Sequence, residues 1–274
     1  MADTSAFLDQ QLVSTTLYGT QQRLADRTGS LMSAKTAGRP AAEVIAAYAA
    51  RARPGRGVVL DIGCGRGAST LALTQALPQA RICAIDASAA LLAATRDRLA
   101  ARSLPAHTVR ADFHRLPLAS GQAALAVAAF CLYHSPTPRA VLTEIARCLA
   151  PGGTVILATK AADSYASLDR LVARAGLDPD AIHRPGLYTA FHSGNLRALT
   201  AGAFTVTRVE HEVHRFRFRD LAHTAAYLAT SPKYQLPAGL EGNAAALADH
   251  LRHQLPDGPV ETASVVSYLT ATHT

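Results

Sequence analysis

The sequence lacks several features that would place it in other classes of protein. It has no tryptophan, two methionines and no run of 18 apolar residues, and the last absence excludes a membrane-spanning helix of ordinary length. The first ten residues contain Asp3 and Asp9 but no basic cluster before an apolar segment, so no signal peptide and a cytoplasmic location are expected. Apolar residues make up 49% and charged residues 17% of the 274 residues, which is typical of a globular domain.

Metal-binding and disulfide patterns are also missing. The four cysteines are irregularly spaced and form no CxxC pair, which argues against a disulfide framework and a zinc site. His211 and His214 lie three apart on a predicted strand and therefore point to opposite faces. His250 and His253 can share a helical face, but no third ligand is evident near them, and we expect no metal.

Positive charge is abundant but dispersed. The formal net charge is +7, yet only three of the 27 basic residues are lysines, namely Lys35, Lys160 and Lys233, and there is no continuous run of basic residues. Electrostatic binding of nucleic acid needs charge clustered on one face. Nucleic acid is therefore not the expected partner.

From residue 53 onward, short apolar segments alternate with helical patterns. We predict strands at 58–60, 81–85, 107–111, 123–131 and 154–158, with helices at 69–77, 88–102 and 138–149. Continuous apolar strands separated by helices are typical of a parallel sheet covered on both faces. The predicted fold is a Rossmann-like, doubly wound α/β domain.

Helices are predicted on both sides of this core. They fall within 5–28 and at 41–52, 164–175, 193–201, 219–230 and 240–254, and further strands are predicted at 204–218 and 260–270. We interpret the chain as one domain over 1–274. It comprises an N-terminal helical lid at 1–52, a cofactor-binding core at 53–160, and acceptor-side helices, forming a lid insertion, with closing strands at 161–274.

A glycine-rich turn follows the first of the strands predicted in the core. The segment 59–67 reads VLDIGCGRG, and Gly63, Gly65 and Gly67 allow positive φ and a close approach of a ligand to the backbone. The helix that follows offers free N–H groups at its start. The spacing up to Ala68 also fits the fingerprint of dinucleotide-binding proteins, so the turn alone does not choose between cofactors.

Acidic residues near the strand ends help to distinguish between the possible cofactors. Asp61 precedes the glycines, where a carboxylate can face an ammonium or a sulfonium but would not favour a phosphate. Asp86 ends the second core strand, where it can accept hydrogen bonds from both ribose hydroxyls, as it also could in an NAD enzyme. Asp112 and Phe113 end the third and can meet the amino group and the face of an adenine.

Four segments together resemble the successive motifs of class I S-adenosylmethionine-dependent methyltransferases. They are 60–67, 85–86, 111–112 and 147–153, and the resemblance covers about residues 40–160. It implies a seven-stranded sheet with an antiparallel last hairpin, and S-adenosyl-L-methionine as the cofactor, with S-adenosyl-L-homocysteine as its product. The resemblance implies that the methionine part lies at Gly63, Gly65 and Gly67, the ribose at Asp86, the adenine at Asp112 and Phe113, and the sulfonium near Phe130. We also predict cofactor contacts from Tyr18 in the lid and from Asp61, Cys64 and Ala87 beside these motifs.

Methyl transfer from a sulfonium is an in-line displacement that depends mainly on positioning. A general base is needed only when the acceptor is protonated. His134 and Tyr133 follow the fourth core strand, at the sheet edge where open α/β folds bind ligands, and His192 follows the fifth; these are the catalytic candidates. Lys160 and Tyr188 are candidates for binding the acceptor.

The acceptor class is narrowed by a missing motif. Enzymes that methylate amino groups of nucleic acids carry Asn/Asp-Pro-Pro-aromatic after the fourth strand, whereas 130–136 reads FCLYHSP. We therefore expect a small-molecule acceptor, methylated at O, N or C, and we hypothesise a role in bacterial natural-product biosynthesis from the composition. The alternatives are a nucleic-acid or protein methyltransferase, a non-catalytic cofactor-binding paralogue and an NAD-dependent reductase.

Overall fold

The computed structural model describes residues 28–105 and 107–274. Residues 28–33 are helical and lead into the first strand. The predicted lid residue Tyr18 and nearly all of the helix predicted within 5–28 lie outside the described residues.

Eight strands form one mixed sheet. They are β1 (Lys35–Ala37), β2 (Val58–Ile62), β3 (Arg81–Asp86), β4 (His107–Arg110), β5 (Ala123–Ala129), β6 (Leu149–Lys160), β7 (Thr205–Phe218) and β8 (Val260–Thr272). Their order is β1-β7-β8-β6-β5-β2-β3-β4. The five adjacent strands β6-β5-β2-β3-β4 pair in parallel. The pairs β6 with β8, β8 with β7 and β7 with β1 are antiparallel.

The Rossmann-like, mostly parallel sheet expected from the sequence is confirmed, with one strand more than predicted. The additional strand is β1, whose three residues pair with β7 at the antiparallel edge of the sheet. A strand as short as Lys35–Ala37 carries no apolar alternation, and it forms because β7 presents an unpaired edge.

The helices of the structure are α1 (Ala41–Ala52), α2 (Ala68–Ala76), α3 (Ala89–Ala100), α4 (Pro138–Cys148), α5 (Ala166–Arg174), α6 (Leu196–Thr200), α7 (Leu221–Leu228) and α8 (Ala244–Gln254). Short 3₁₀ turns occur at Leu132–His134 and Pro179–Ile182. The helix predicted at 193–201 is shorter than expected, because the side-chain oxygen of Asn195 accepts the N–H of His192 in a turn that precedes α6. No helix among the described residues is long and apolar enough to cross a membrane.

The central strands are buried on both faces of the sheet, as their continuous apolar sequences predict. Leu60 and Ile62 of β2 pack into one core cluster, whereas Val59 packs into the cluster on the opposite face. Val141 and Leu142 of α4 belong to the first cluster, and residues of α1 belong to the second. These opposed cores hold the carboxyl ends of the strands in a fixed arrangement.

The direction of winding reverses beside β2. The chain proceeds from β2 outward to β3 and β4, then returns to form β5 and β6 on the other side of β2. In open α/β sheets, ligands bind in the crevice at the carboxyl ends of the strands at such a switch point. The loops after β2 and β5 are therefore the expected floor of a site.

Candidate active site

A cavity of about 980 Å³ lies at this switch point. It is lined by the turn after β2, by the ends of β3, β5 and β6, and by parts of the N-terminal segment 28–45 and of the acceptor-side segment 161–274. Sites for small molecules usually measure about 300–1,000 Å³. The cavity therefore has room for more than one small ligand.

The glycine turn forms one wall of the cavity. Gly65 adopts φ +57°, and a Cβ built there meets no heavy atom within 4 Å. Its N–H donates to Asp86 Oδ2 at 2.9 Å, and its carbonyl accepts the hydroxyl of Thr95 at 2.9 Å. The turn is thus fixed from behind and leaves open space in front, which is where a ligand can approach the backbone.

Two residues of the same motif do not line the cavity. Asp61 is 1% exposed and accepts hydrogen bonds from Ser69 Oγ at 2.8 Å and from Thr70 Oγ1 at 2.6 Å. Burial raises the pKa of Asp61 to about 6, against the lowering effect of these two hydroxyls. The expectation that Asp61 faces a cation is therefore corrected, because its carboxylate instead fixes the start of α2.

Gly67 also shapes the junction between the glycine turn and α2. It is the N-cap of α2 with φ +74°, and a Cβ there would lie 2.8 Å from the side chain of Thr95. Gly67 is absent from the cavity lining, whereas Gly63 and Cys64 are part of it. The third glycine therefore permits close packing of the turn on α3 rather than ligand contact.

Asp86 lies on the cavity at the end of β3, as the sequence predicts. Its two carboxylate oxygens accept the N–H groups of Gly65 and Ser88, each at 2.9 Å. Burial raises the pKa of Asp86, and backbone N–H groups of Ser88, Gly65 and Ala87 oppose that rise. The backbone thus fixes the orientation of a carboxylate that still has lone pairs available for hydroxyl donors.

Asp112 and Phe113 also line the cavity, and sequence reasoning missed a residue that holds them. His114 Nδ1 lies 2.8 Å from Asp112 Oδ1, and its Nε2 lies 2.8 Å from Ser135 Oγ. Ser135 is fully buried, so this carboxylate–imidazole–hydroxyl chain offers no accessible nucleophile. It ties the loop after β4 to the loop after β5.

The other end of the cavity is aromatic. Tyr133 and His134 follow β5, are 5% and 8% exposed, and have ring centroids 4.5 Å apart. The ring of Tyr188 stands edge-on to Tyr133 at 4.8 Å. The structure thus brings together Tyr133, His134 and Tyr188, three of the residues proposed for the acceptor side.

Lys160 lies at the centre of an aromatic cage that we define as Phe130, Tyr165 and Tyr188. Its Nζ lies 5.8, 4.9 and 5.6 Å from the centroids of these rings, respectively, and donates to the hydroxyl of Tyr165 at 2.5 Å. Burial raises the pKa of Tyr188, and Lys160 opposes that rise. Such cation–π contacts stabilise an ammonium that is partly removed from water.

Two of the cage residues adopt a backbone conformation that bulky residues rarely adopt. Phe130 has φ +56° and Tyr165 has φ +69°. Strained residues of this kind cluster at functional sites, where the surrounding structure holds them in place. Tyr165 was not predicted from the sequence, because its position results from tertiary packing after β6.

His192 is not brought to this site. It does not line the cavity, and its Nδ1 accepts the N–H of Gly194 at 3.1 Å. The prediction of a catalytic role for His192 is therefore corrected, because its imidazole organises the turn before α6. Lys35 and His214 do line the cavity, but β1 and β7 carry no motif that would have marked them.

Comparisons with known proteins agree with this geometry. Residues 59–153 match the family model described as a methyltransferase domain. A malonyl-[acyl-carrier protein] O-methyltransferase from Alcanivorax borkumensis is 37% identical over 130 residues, which are 47% of this chain and 43% of that protein. The match thus spans less than half the length of this curated relative.

Solved structures match over more of the chain. The [4+2]-cyclase SpnF has a TM-score of 0.60 at 19% identity, and the match covers 98% of this chain and 96% of that one. A geranyl diphosphate C-methyltransferase from Streptomyces coelicolor A3(2), solved with S-adenosyl-L-homocysteine, has a TM-score of 0.50 at 16% identity, covering 84% and 76%. At such identities the likeness shows the fold.

The family match places a methyltransferase domain at residues 59–153, and the strand order and the glycine turn agree with the class I methyltransferase fold predicted from the sequence. The family predicted from the sequence is confirmed for residues 59–153, whereas the activity and the cofactor of the whole chain are proposals.

Proposed function

We propose that the chain transfers the methyl group of S-adenosyl-L-methionine to an oxygen of a small-molecule acceptor. The observation that carries this proposal is that one cavity of about 980 Å³ is lined both by the glycine turn with the strand-end aspartates and by the aromatic rings of Tyr133 and Tyr188. One cavity with two chemically different ends suits two substrates that must meet.

The residues at the first end fit the cofactor. The open space in front of Gly65 accommodates the methionine part, and the fixed carboxylate of Asp86 suits a pair of ribose hydroxyls. Asp112 and Phe113 offer an acceptor and a ring face to the adenine. When bound, S-adenosyl-L-methionine supplies a methyl group that is already activated by a positively charged sulfur.

The chain contributes positioning and exclusion of water at the second end. Tyr133 and Tyr188 form an apolar wall, and His134 lies buried beside them. Holding reactants in the correct geometry contributes roughly 7–11 kcal/mol to such reactions. An imidazole near neutrality can hold the proton of a hydroxyl acceptor, and this is the role proposed for His134.

The proposal of oxygen as the methylated atom draws on the Alcanivorax borkumensis relative, whose name specifies O-methylation. A cavity of about 980 Å³ suits a small acceptor rather than a nucleic acid. Tailoring of a bacterial natural product is the setting that we propose, on the composition of the chain.

The test is methyl transfer from isotopically labelled S-adenosyl-L-methionine to a panel of small hydroxy and carboxylic acids, with products identified by mass spectrometry. We expect O-methylated product, at least a tenfold lower rate with His134→Ala, and an unchanged rate with the matched control His192→Ala. Binding of S-adenosyl-L-homocysteine without labelled product from any member of the panel would contradict the proposed acceptor class. Equal rates of the two variants would remove the role of His134.

A further inference from the structure

All three lysines of the chain line the same cavity. Lys233 is neutralised, because its Nζ lies 2.5 Å from Asp169 Oδ2, and Tyr234 also donates to that carboxylate at 3.0 Å. Lys35 and Lys160 have no carboxylate within 4.0 Å among residues 28–105 and 107–274. The cavity therefore contains two ammonium groups whose charge is not balanced by an ion pair within the described chain.

The two ammonium groups belong to one corner of the sheet. Lys35 pairs with Phe216 of β7, two residues from His214. Lys160 pairs with Val266 of β8, and His214 pairs with Ser264 of the same strand. Four neighbouring strands, β1, β7, β8 and β6, therefore place Lys35, His214 and Lys160 toward the antiparallel side of the sheet, and all three residues line the cavity.

The environment of His214 reflects the positive field at this corner. The pKa of His214 is lowered to about 4, first by burial and then by the positive charges of Lys35, Lys160 and Arg39, while Glu212 opposes this lowering. The pKa of Lys35 is also lowered by burial and by Lys160, against Glu212 and Glu43. Glu212 itself accepts hydrogen bonds from the backbone and side chain of Arg39 and does not line the cavity.

The polar groups at this corner suit a particular anion. The cage fixes the Lys160 ammonium, so little side-chain freedom is lost when an anion binds. Each ammonium group donates one hydrogen bond within the chain and retains donors for the oxygens of an anion, and the surrounding rings suit an organic body. Three arginines also line the cavity, but they lie elsewhere: Arg66 in the glycine turn, Arg98 on α3 and Arg110 on β4.

We propose that Lys35 and Lys160 bind a carboxylate of the methyl acceptor, so that the substrate class is an organic acid. Binding of an anion by these two lysines does not depend on the proposed function; only the identification of that anion as part of the methyl acceptor rests on it. The carboxylate accepts charge-assisted hydrogen bonds from both ammonium groups and orients the acceptor toward Phe130 and the glycine turn.

Because there are only three lysines, their side chains report on this cavity directly. Protein labelled with [13Cε]lysine gives three side-chain signals in NMR spectra, assigned with Lys35→Arg, Lys160→Arg and Lys233→Arg. Acetate, a carboxylate small enough to need no shape complementarity, is titrated at constant ionic strength against chloride, with acetamide and inorganic phosphate as separate probes.

We expect saturable shifts of the Lys35 and Lys160 signals with acetate, a much smaller response of Lys233, and none with acetamide. Lys160→Gln should weaken acetate binding, read at Lys35, about tenfold, whereas the matched charge removal Arg56→Gln at an exposed site should leave it unchanged. Non-saturating shifts, equal shifts of all three lysines, or tighter binding of phosphate than of acetate would overturn the proposal.

Titration of the same sample with S-adenosyl-L-homocysteine separates this inference from the proposed function. Cofactor-product binding without saturable acetate binding would overturn the carboxylate site and leave the methyltransferase proposal standing. Acetate binding without S-adenosyl-L-homocysteine binding would leave the anion site standing and overturn the methyltransferase proposal, together with the identification of the anion as an acceptor.

Discussion

At the scale of single residues, Asp61 illustrates how a motif residue can act through its neighbours. Its carboxylate is buried beneath the glycine turn and accepts hydroxyl hydrogen bonds from Ser69 and Thr70. A side chain in the right place in sequence therefore acts on the start of α2 rather than on a ligand. Sequence position identified the importance of Asp61 but could not reveal which way its side chain points.

The raised pKa of Asp61 predicts a dependence of stability on pH. The folded value of about 6 exceeds the ordinary value of 3.8, so the folded state binds the proton more tightly than the unfolded state does. The contribution of Asp61 to the free energy of unfolding is therefore greatest below about pH 4 and falls by about 3 kcal/mol as the pH rises through 6. Urea unfolding followed by circular dichroism at pH 4 to 7.5 measures this.

The control for that measurement is Asp61→Asn, which removes the ionisation and retains one oxygen acceptor. Subtracting its pH profile from that of the wild type cancels the contributions of all other groups. Parallel profiles of the two proteins would show that the carboxylate has an ordinary pKa in the folded state.

At the scale of elements, the turn between β2 and α2 combines ligand contact with backbone geometry. Gly65 has φ +57° with open space at its Cβ position, and it lines the cavity. Gly121 has φ +71° and equally open space, but it is exposed and lies outside the cavity. Substitution of either glycine introduces the same backbone strain, but only substitution of Gly65 can also block a ligand.

We expect Gly65→Ala and Gly121→Ala to lower the free energy of unfolding by similar amounts, about 1–2 kcal/mol, because each places a Cβ in the left-handed region. Only Gly65→Ala should weaken S-adenosyl-L-homocysteine binding, since only its Cβ projects into the cavity. Thermal unfolding and calorimetric titration of both variants test this. Equal loss of affinity in the two would show that strain, not space, governs binding.

Elements in the core were more predictable than the surroundings of the site. The apolar strands β2, β3 and β5 and the glycine turn follow from local sequence, because burial on both faces requires continuous apolar residues. The left-handed conformations of Phe130 and Tyr165 could not be predicted, because bulky residues have no local preference for φ above zero.

At the scale of the whole molecule, the acceptor end is assembled from distant parts of the chain. Lys35, Lys160, Tyr188 and His214 come from four separate regions and meet only when β7 and β8 add to the antiparallel side of the sheet. A scattered net charge of +7 did not reveal that every lysine converges on one cavity. The cofactor end, by contrast, is contained in residues 63–130 and was largely predictable.

The proposed function requires that the cavity binds S-adenosyl-L-methionine, and calorimetric titration of the wild type with S-adenosyl-L-homocysteine measures this binding. NADH and NADPH serve as competing ligands, and Asp86→Ala serves as the variant. We expect saturable one-to-one binding of S-adenosyl-L-homocysteine, no binding of either nicotinamide, and at least a tenfold loss of affinity in Asp86→Ala, because a charge-assisted hydrogen bond to the ribose is removed. Preferential nicotinamide binding, or an unchanged affinity in Asp86→Ala, would contradict it.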